Sequence, residues 1–171
     1  MMNDTLDLDR LAASCPDLHI EYHREIGSTN DRAKEPEVRV SADRPWLITA
    51  ERQTAGRGRG SNRWWTGEGS LAFTIVFPSP AELPTRQFGL LALAAGAAVC
   101  EVVADVVDKA EGASSIVVGM RWPNDVYLAE RKVCGILVEI ADGKLIVGIG
   151  VNVNNSAKQA PAELQARVVS L

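Results

Sequence analysis

Residues 117–153 most constrain the fold, because short apolar runs follow one another with only turn residues between them. The runs at 117–122, 126–128, 133–140 and 145–153 have the length of strands. Asp142-Gly143 is a strong hairpin signal, and 129–132 predicts a second turn. Residues 133–138 are apolar on both faces, which predicts a strand in the interior of the sheet.

The rest of the chain predicts further strands and helices of very different length. The long helix covers 85–110, where apolar residues recur with the 3.6-residue helical period. A short helix covers 30–34; Ser28 or Thr29 can cap it, and Pro36 ends it. The remaining predictions are strands at 19–26, 46–51 and 71–77 and a short helix at 6–13.

These elements predict an N-terminal lead-in over residues 1–18 and one α+β domain over 19–171. We expect a mixed, mostly antiparallel sheet with helices on one face. With 46% hydrophobic residues, the chain is typical of globular proteins. Its net charge of −4 differs from the basic charge that is usual in nucleic-acid-binding domains. We predict a cytoplasmic protein that binds neither DNA nor membrane. The three cysteines are widely spaced, and the sequence shows no leader pattern and no apolar run long enough to span a bilayer.

Residues 53–63 are unusual in an acidic chain, because glycine and arginine alternate from position 56 to position 60. Glycine backbone amides and arginine side chains both suit phosphate or carboxylate groups. We therefore predict a mobile loop that closes over a bound anion. The alternative is a flexible linker or an arginine-rich nucleic-acid arm, but Trp64 and Trp65 directly after the loop favour a ligand.

Three other segments carry candidate chemistry, and each has an ordinary alternative. Asp125 could hold Mg²⁺ or simply form a turn, and Lys132 could offset phosphate charge or lie solvated at a hairpin end. The polar residues 28–30 could bind a polar head group or act as a plain helix cap. The glycines at 148 and 150 indicate close approach to something flat, or crowding between strands.

Taken in order, five motifs resemble the catalytic domain of biotin–protein ligases (biotin–[acetyl-CoA-carboxylase] ligases) over about residues 20–155. They are Gly-Ser-Thr-Asn at 27–30, Glu-Arg-Gln-Thr-Ala-Gly-Arg-Gly-Arg-Gly at 51–60, Trp-Pro-Asn-Asp at 122–125, Arg-Lys-Val-Cys-Gly-Ile-Leu-Val-Glu at 131–139 and Gly-Ile-Gly-Val-Asn at 148–152. The resemblance implies the fold shared with class II aminoacyl-tRNA synthetases. It also implies ATP- and Mg²⁺-dependent attachment of biotin, through biotinyl-5′-AMP, to a lysine of a biotin carboxyl carrier protein or acetyl-CoA carboxylase subunit.

The resemblance also implies roles for individual residues. The implied biotin contacts are Ser28, Thr29, Asn30, Gln53, Gly56, Arg57, Gly58, Arg59, Lys132 and Gly135. The implied ATP contacts are Arg59, Trp64, Arg121 and Asn152. The implied catalytic residues are Lys132, Arg57, Arg59 and Asp125, with Asp125 also the metal ligand.

The chain departs from the family pattern in ways that leave alternatives open. Arg121 stands where many relatives carry lysine, and we expect neither a winged-helix domain before the catalytic domain nor, after it, the small β-barrel that relatives usually carry. The alternatives are a lipoate or octanoyl ligase-type acyltransferase on the same fold and a truncated, non-catalytic biotin- or adenylate-binding module. A homodimer stays open as an alternative to a monomer.

Overall fold

The computed structural model describes residues 6–80, 84, 87–110 and 116–171. The helices are α1 (Leu8–Ser14), α2 (Thr29–Lys34), α3 (Phe88–Asp108) and α4 (Ala162–Gln165), with a 3₁₀ turn at Ala157–Gln159. The strands are β1 (His19–Ile26), β2 (Trp46–Gln53), β3 (Ser70–Pro78), β4 (Val118–Arg121), β5 (Asp125–Leu128), β6 (Arg131–Ala141) and β7 (Lys144–Asn152). Residues 1–5 of the predicted lead-in and 85–86 of the predicted long helix lie outside the described residues.

The strands form one seven-stranded sheet in the order β1-β2-β3-β7-β6-β5-β4. The β1–β2 pair is parallel and every other neighbouring pair is antiparallel. The predicted α+β domain with a mixed, mostly antiparallel sheet is therefore confirmed. Strand β6 lies between β7 and β5, as its apolar character on both faces predicted.

The helices lie on both faces of the sheet, which corrects the prediction of helices on one face. Helix α3 packs through Ala92 and Val103 on the face that carries Ile136 and its partner across the ladder, Ile149. Helix α2 packs through Ala33 in the second core cluster, which includes Ile146 of the same strand, β7. Ile146 and Ile149 are three positions apart on one strand, so their side chains point to opposite faces.

Helix α3 is the one helix among the described residues that could cross a membrane by length and composition alone, with a mean hydropathy of 2.1. A core helix of a soluble protein meets the same criterion. Here the inward side of α3 packs against β4, β5 and β6, while Leu90, Val102 and Val106 are exposed. The expectation of no membrane contact stays a prediction.

Two tight turns set the registers around β6. Asp142 (φ 49°) and Gly143 (φ 71°) form the predicted hairpin between β6 and β7. The β5–β6 turn has positive φ at Ala129 (46°) and Glu130 (64°), without a glycine. The Trp122–Pro123 peptide that leads into this hairpin is cis.

Cys15, Cys100 and Cys134 are free thiols. Burial raises the pKa of Cys134 to about 12, so this thiol in the core stays protonated at neutral pH.

Candidate active site

A cavity of about 290 Å³ lies on the α2 face of the sheet. Its walls come from the start of α2, the segment after β2, and strands β5 to β7. Most of the predicted site residues line it: Ser28, Thr29, Asn30, Gln53, Arg57, Gly58, Arg59, Trp64, Asp125, Lys132 and Gly135. Predicted residues from five segments of the chain therefore meet in this cavity.

One end of the cavity is polar because α2 begins there. Ser28 caps the helix, and its Oγ accepts a hydrogen bond from the amide of Asp31 at 3.4 Å. Thr29 and Asn30 are buried. The hydroxyl of Thr74 lies 2.8 Å from Thr29 Oγ1 and 2.7 Å from Asn30 Oδ1. Thr74, on β3, is fully buried and was not predicted, since no pattern marks one threonine in an apolar strand.

Gln53 supports this polar end as well as lining it. Its Oε1 accepts hydrogen bonds from the amide of Thr29 at 2.9 Å and from the Thr29 hydroxyl at 3.2 Å. Its Nε2 donates to Thr66 Oγ1 at 3.3 Å. A polar ligand group that enters this end meets a prearranged set of donors and acceptors rather than loose side chains.

Residues 56–64 form a short hairpin, named here the Gly-Arg hairpin. Gly58 N donates to Asn62 O at 2.8 Å, and Trp64 N donates to Gly56 O at 2.9 Å. A Cβ at Gly56 would collide with the carbonyl oxygen of Trp64, so this position requires glycine. Part of the segment predicted as a mobile loop is thus hydrogen-bonded as a hairpin, and its Gly58 and Arg59 line the cavity.

Arg57 is engaged by carboxylates. Its Nη1 lies 2.6 Å from Asp31 Oδ1, and its Nη2 lies 2.8 Å from Glu139 Oε1. Burial alone would lower the pKa of Arg57, but the hydrogen bonds to Glu139 and Asp31 raise it on balance. This geometry supports a role in anchoring the hairpin, and the direct offset of substrate charge by Arg57 stays a prediction.

Lys132 and Asp125 form an ion pair in the wall of the cavity, with Nζ 2.7 Å from Oδ1. The ammonium also lies 5.6 Å from the centre of the Trp64 ring. The backbone of Lys132 is held on both sides by the segment after α4: its amide donates to Arg167 O at 2.8 Å, and its carbonyl accepts from Val169 N at 3.0 Å. The predicted lysine is therefore fixed at the cavity and not solvated at a hairpin end.

A floor of glycines explains the close approach predicted for β7. Gly135 and Gly150 face each other across β6 and β7, and the indole of Trp64 lies on both. Gly148 abuts the side chain of Asn30. The flat group predicted near these glycines is thus an indole of the chain itself. Within the described residues, the buried Nε1 of Trp64 has no hydrogen-bond partner.

Two predicted ATP contacts lie outside the cavity lining. Arg121 is exposed; its guanidinium carbon lies 4.7 Å from the centre of the Tyr127 ring. Asn152 is buried, and its Nδ2 donates to the carbonyl of Lys132 at 3.4 Å. Both contact residues that line the cavity, so their present geometry is one of support. The lining also contains residues that the sequence did not single out, among them Asn124, Tyr127, Leu164, Arg167 and Val168.

Among the residues described, no group of three or more His, Cys, Asp and Glu side chains could hold a metal ion. Mg²⁺ at phosphate sites usually takes one or two protein carboxylates and completes its shell with phosphates and water. Asp125 in the cavity wall is compatible with that limited requirement.

We expect acid to weaken the fold through Glu139 and Glu21. Burial would raise the pKa of each, but hydrogen bonds lower it on balance: from Asn30, Lys34 and Arg57 to Glu139, and from Arg32 and His23 to Glu21. Their stabilisation is therefore fully present above the ordinary value of 4.5 and is lost as the pH falls through the lower folded pKa. Urea unfolding between about pH 7 and pH 3 should show a falling free energy of unfolding. The double variant Glu21→Gln/Glu139→Gln should show a shallower acid limb, and an equally steep one would contradict this assignment.

Together, the fold and the cavity define an α+β domain with a cavity of a size that suits a small molecule. Its site joins a buried polar end to a fixed ammonium and an arginine-bearing hairpin, an arrangement suited to an organic acid and a phosphate. Residues 22–155 match the Biotin/lipoate A/B protein ligase family. The chain belongs to that family.

Known relatives agree with this placement. The chain is 33% identical over 158 residues to "Bifunctional ligase/repressor BirA" of Bacillus subtilis, covering 90% of this chain and 46% of that protein. It is 35% identical over 125 residues to "Biotin--[acetyl-CoA-carboxylase] ligase" of Mycobacterium tuberculosis, covering 73% and 44%. The structure of the biotin protein ligase from Aquifex aeolicus in complex with biotin and ATP superposes with a TM-score of 0.71 at 34% identity, covering 89% of this chain and 59% of that one. The chain thus spans about half the length of the curated relatives it matches.

Proposed function

We propose that the protein attaches biotin to a lysine of an acceptor protein, using ATP and forming biotinyl-5′-AMP on the way. The observation that carries the proposal is the cavity, which places the Lys132 ammonium and Arg59 beside a buried polar end built by Thr29, Asn30 and Gln53. Relatives named as biotin ligases, one of them solved with biotin and ATP, support the same activity. The acceptor proposed is a biotin carboxyl carrier protein, as in an acetyl-CoA carboxylase subunit.

The polar end suits a cyclic urea, which offers two N–H donors and one carbonyl acceptor. Hydroxyl and amide groups of Thr29, Asn30 and Gln53 lie there in one connected network. The carboxylate at the other end of the acid would then face the side of the cavity lined by Lys132 and Arg59. A buried polar network of this kind penalises a ligand that lacks matching polar atoms.

Two steps complete the proposed reaction. In the first, a carboxylate oxygen of biotin attacks the α-phosphorus of ATP, the bond to the β-phosphate oxygen breaks, and pyrophosphate leaves. Lys132 and Arg59 stabilise the negative charge that this step concentrates. In the second, the acceptor amine attacks the carbonyl carbon of the mixed anhydride, AMP leaves, and the amine loses a proton. No nucleophile of the protein is needed.

Mg²⁺ is proposed as the metal, with Asp125 as the carboxylate that would hold it beside the phosphates. When bound, Mg²⁺ supplies neutralisation of phosphate charge. Asp125 already pairs with Lys132 at 2.7 Å, so both side chains would contribute to the local charge beside the phosphates.

Labelled biotin should be transferred to a purified carboxyl-carrier domain when ATP and Mg²⁺ are both present, and not when ATP is omitted. Acid-quenched samples should also contain biotinyl-5′-AMP. Binding of biotin without transfer would leave only the non-catalytic binding module. Competition calorimetry with lipoate decides the other alternative, because preferential binding of lipoate would indicate the lipoate-type activity.

We propose a cytoplasmic protein that binds neither DNA nor membrane, on the strength of its composition and acidic net charge. The choice between monomer and homodimer stays open to a measurement of mass in solution.

A further inference from the structure

We infer that Glu139 is a positioning residue. Its carboxylate holds Arg57 and thereby fixes the root of the Gly-Arg hairpin, Gly56 and Arg57, against the cavity. The inference rests on the proposed function, because the position of the hairpin matters for the reaction only if the hairpin covers a bound substrate. Glu139 lies on β6, seven positions after Lys132, and no part of the mechanism above uses it.

The contacts of Glu139 come from two elements, the Gly-Arg hairpin and helix α2. Arg57 makes a two-pronged contact, with Nη2 to Oε1 at 2.8 Å and Nη1 to Oε2 at 3.1 Å. Lys34 Nζ lies 2.9 Å from Oε1, and Asn30 Nδ2 donates to Oε2 at 3.0 Å. The Glu139 side chain is only 20% exposed, so these charge-assisted bonds are partly shielded from water.

The ion pair acts on the root of the hairpin and leaves its cavity-facing part available. Arg57 directly follows Gly56, whose carbonyl closes the hairpin by accepting from Trp64 N. Gly58 and Arg59 come next and line the cavity. Among the described residues, no carboxylate forms an ion pair with Arg59. Fixing Arg57 therefore orients Arg59 without neutralising it.

The same carboxylate also orients the polar end of the cavity. Because Asn30 donates through Nδ2 to Glu139, its Oδ1 is turned toward the hydroxyl of Thr74. One side chain thus couples the amide of Asn30 to the hairpin root. We therefore expect hairpin order and biotin affinity to change together when Glu139 loses its charge.

The Glu21–Arg32 pair provides a matched control. Arg32 Nε lies 2.7 Å from Glu21 Oε1, and the two side chains are 19% and 17% exposed, similar to Glu139. Arg32 also lies on α2, but neither residue lines the cavity or contacts the hairpin. Loss of this pair tests what a partly buried ion pair contributes to the fold alone.

The experiment compares Glu139→Gln, Arg57→Gln, the double variant and Glu21→Gln in the full chain. Amide hydrogen exchange of residues 56–64 without ligand and the Kd for biotin by calorimetry are measured. Glu139→Gln should speed hairpin exchange and weaken biotin binding, both by about tenfold or more, the scale of a lost charge-assisted hydrogen bond. Arg57→Gln should reproduce the exchange effect, and the double variant should add little to either single change. Glu21→Gln should leave both quantities within about twofold.

Unchanged hairpin exchange in Glu139→Gln overturns the positioning role, as do fully additive effects of the two single variants. If Glu139→Gln fails to fold, Arg57→Gln decides alone, and unaltered hairpin exchange in that variant overturns the role. Absence of biotin binding by the unaltered protein would overturn the proposed function instead, so the two failures are distinguishable.

Discussion

Lys132→Ala is expected to slow formation of biotinyl-5′-AMP by about 100-fold or more, the scale found for single electrostatic contacts to a transition state. The ammonium lies in the cavity wall, and its backbone is held by Arg167 and Val169, so its position is fixed before any substrate arrives. Removing it also leaves Asp125 without its partner at 2.7 Å, which adds negative charge where two anions must meet. Pyrophosphate release under single-turnover conditions measures the step.

Arg131→Ala is the control, because Arg131 is the adjacent cation on β6 but is exposed and does not line the cavity. It should leave the adenylation rate within about threefold, as expected for a solvated surface charge. A normal adenylation rate in Lys132→Ala would show that the charge of this side chain has no part in the reaction.

Gly150→Ala is expected to weaken biotin binding by about tenfold or more, in line with overpacking costs of about 1–3 kcal/mol. The added Cβ would collide with the indole of Trp64, which lies on this strand and borders the cavity. The ring has to move away from the sheet and into the ligand space, because the backbone of β6 and β7, including Gly135, lies directly beneath it. Calorimetry with biotin, well below the unfolding temperature, gives the affinity.

Gly119→Ala is the matched control, since Gly119 also lies in a strand but a Cβ there meets no atom within 4 Å. It should bind biotin like the unaltered protein. If Gly150→Ala also keeps full affinity, the ring must have an alternative place to pack, and the glycine floor would not shape the binding site.

Sequence patterns predicted the sheet well where the signal is local. Asp142-Gly143 fixes the β6–β7 register, and the apolar run 133–138 correctly indicated an interior strand. The sequence did not predict which face of the sheet α2 packs on. A helix of six residues is too short to show a clear apolar side in its sequence. Once the strand register is known, Gly148 indicates the face on which α2 packs, because the absence of a side chain there leaves room for Asn30 of α2 against β7.

Unusual local composition predicted part of the site, and the family resemblance implied the remaining residues. Arg59 and Lys132 are cations beside glycines or apolar strands, and both line the cavity. Arg57 has the same local signal, yet its partners Asp31 and Glu139 come from distant segments, so its ion pairs could not be foreseen. Glu139 itself carried a weak signal, as a charged residue between Val138 and Ile140.

The pairing of Lys132 with the segment after α4 has a consequence for how local motion reaches the chemistry. The amide and the carbonyl of this lysine are hydrogen-bonded to residues 167 and 169, so local opening of that segment would cost the ammonium its alignment while the rest of the sheet stayed intact. Variation at positions 167 and 169 would therefore change the adenylation rate through the alignment of Lys132.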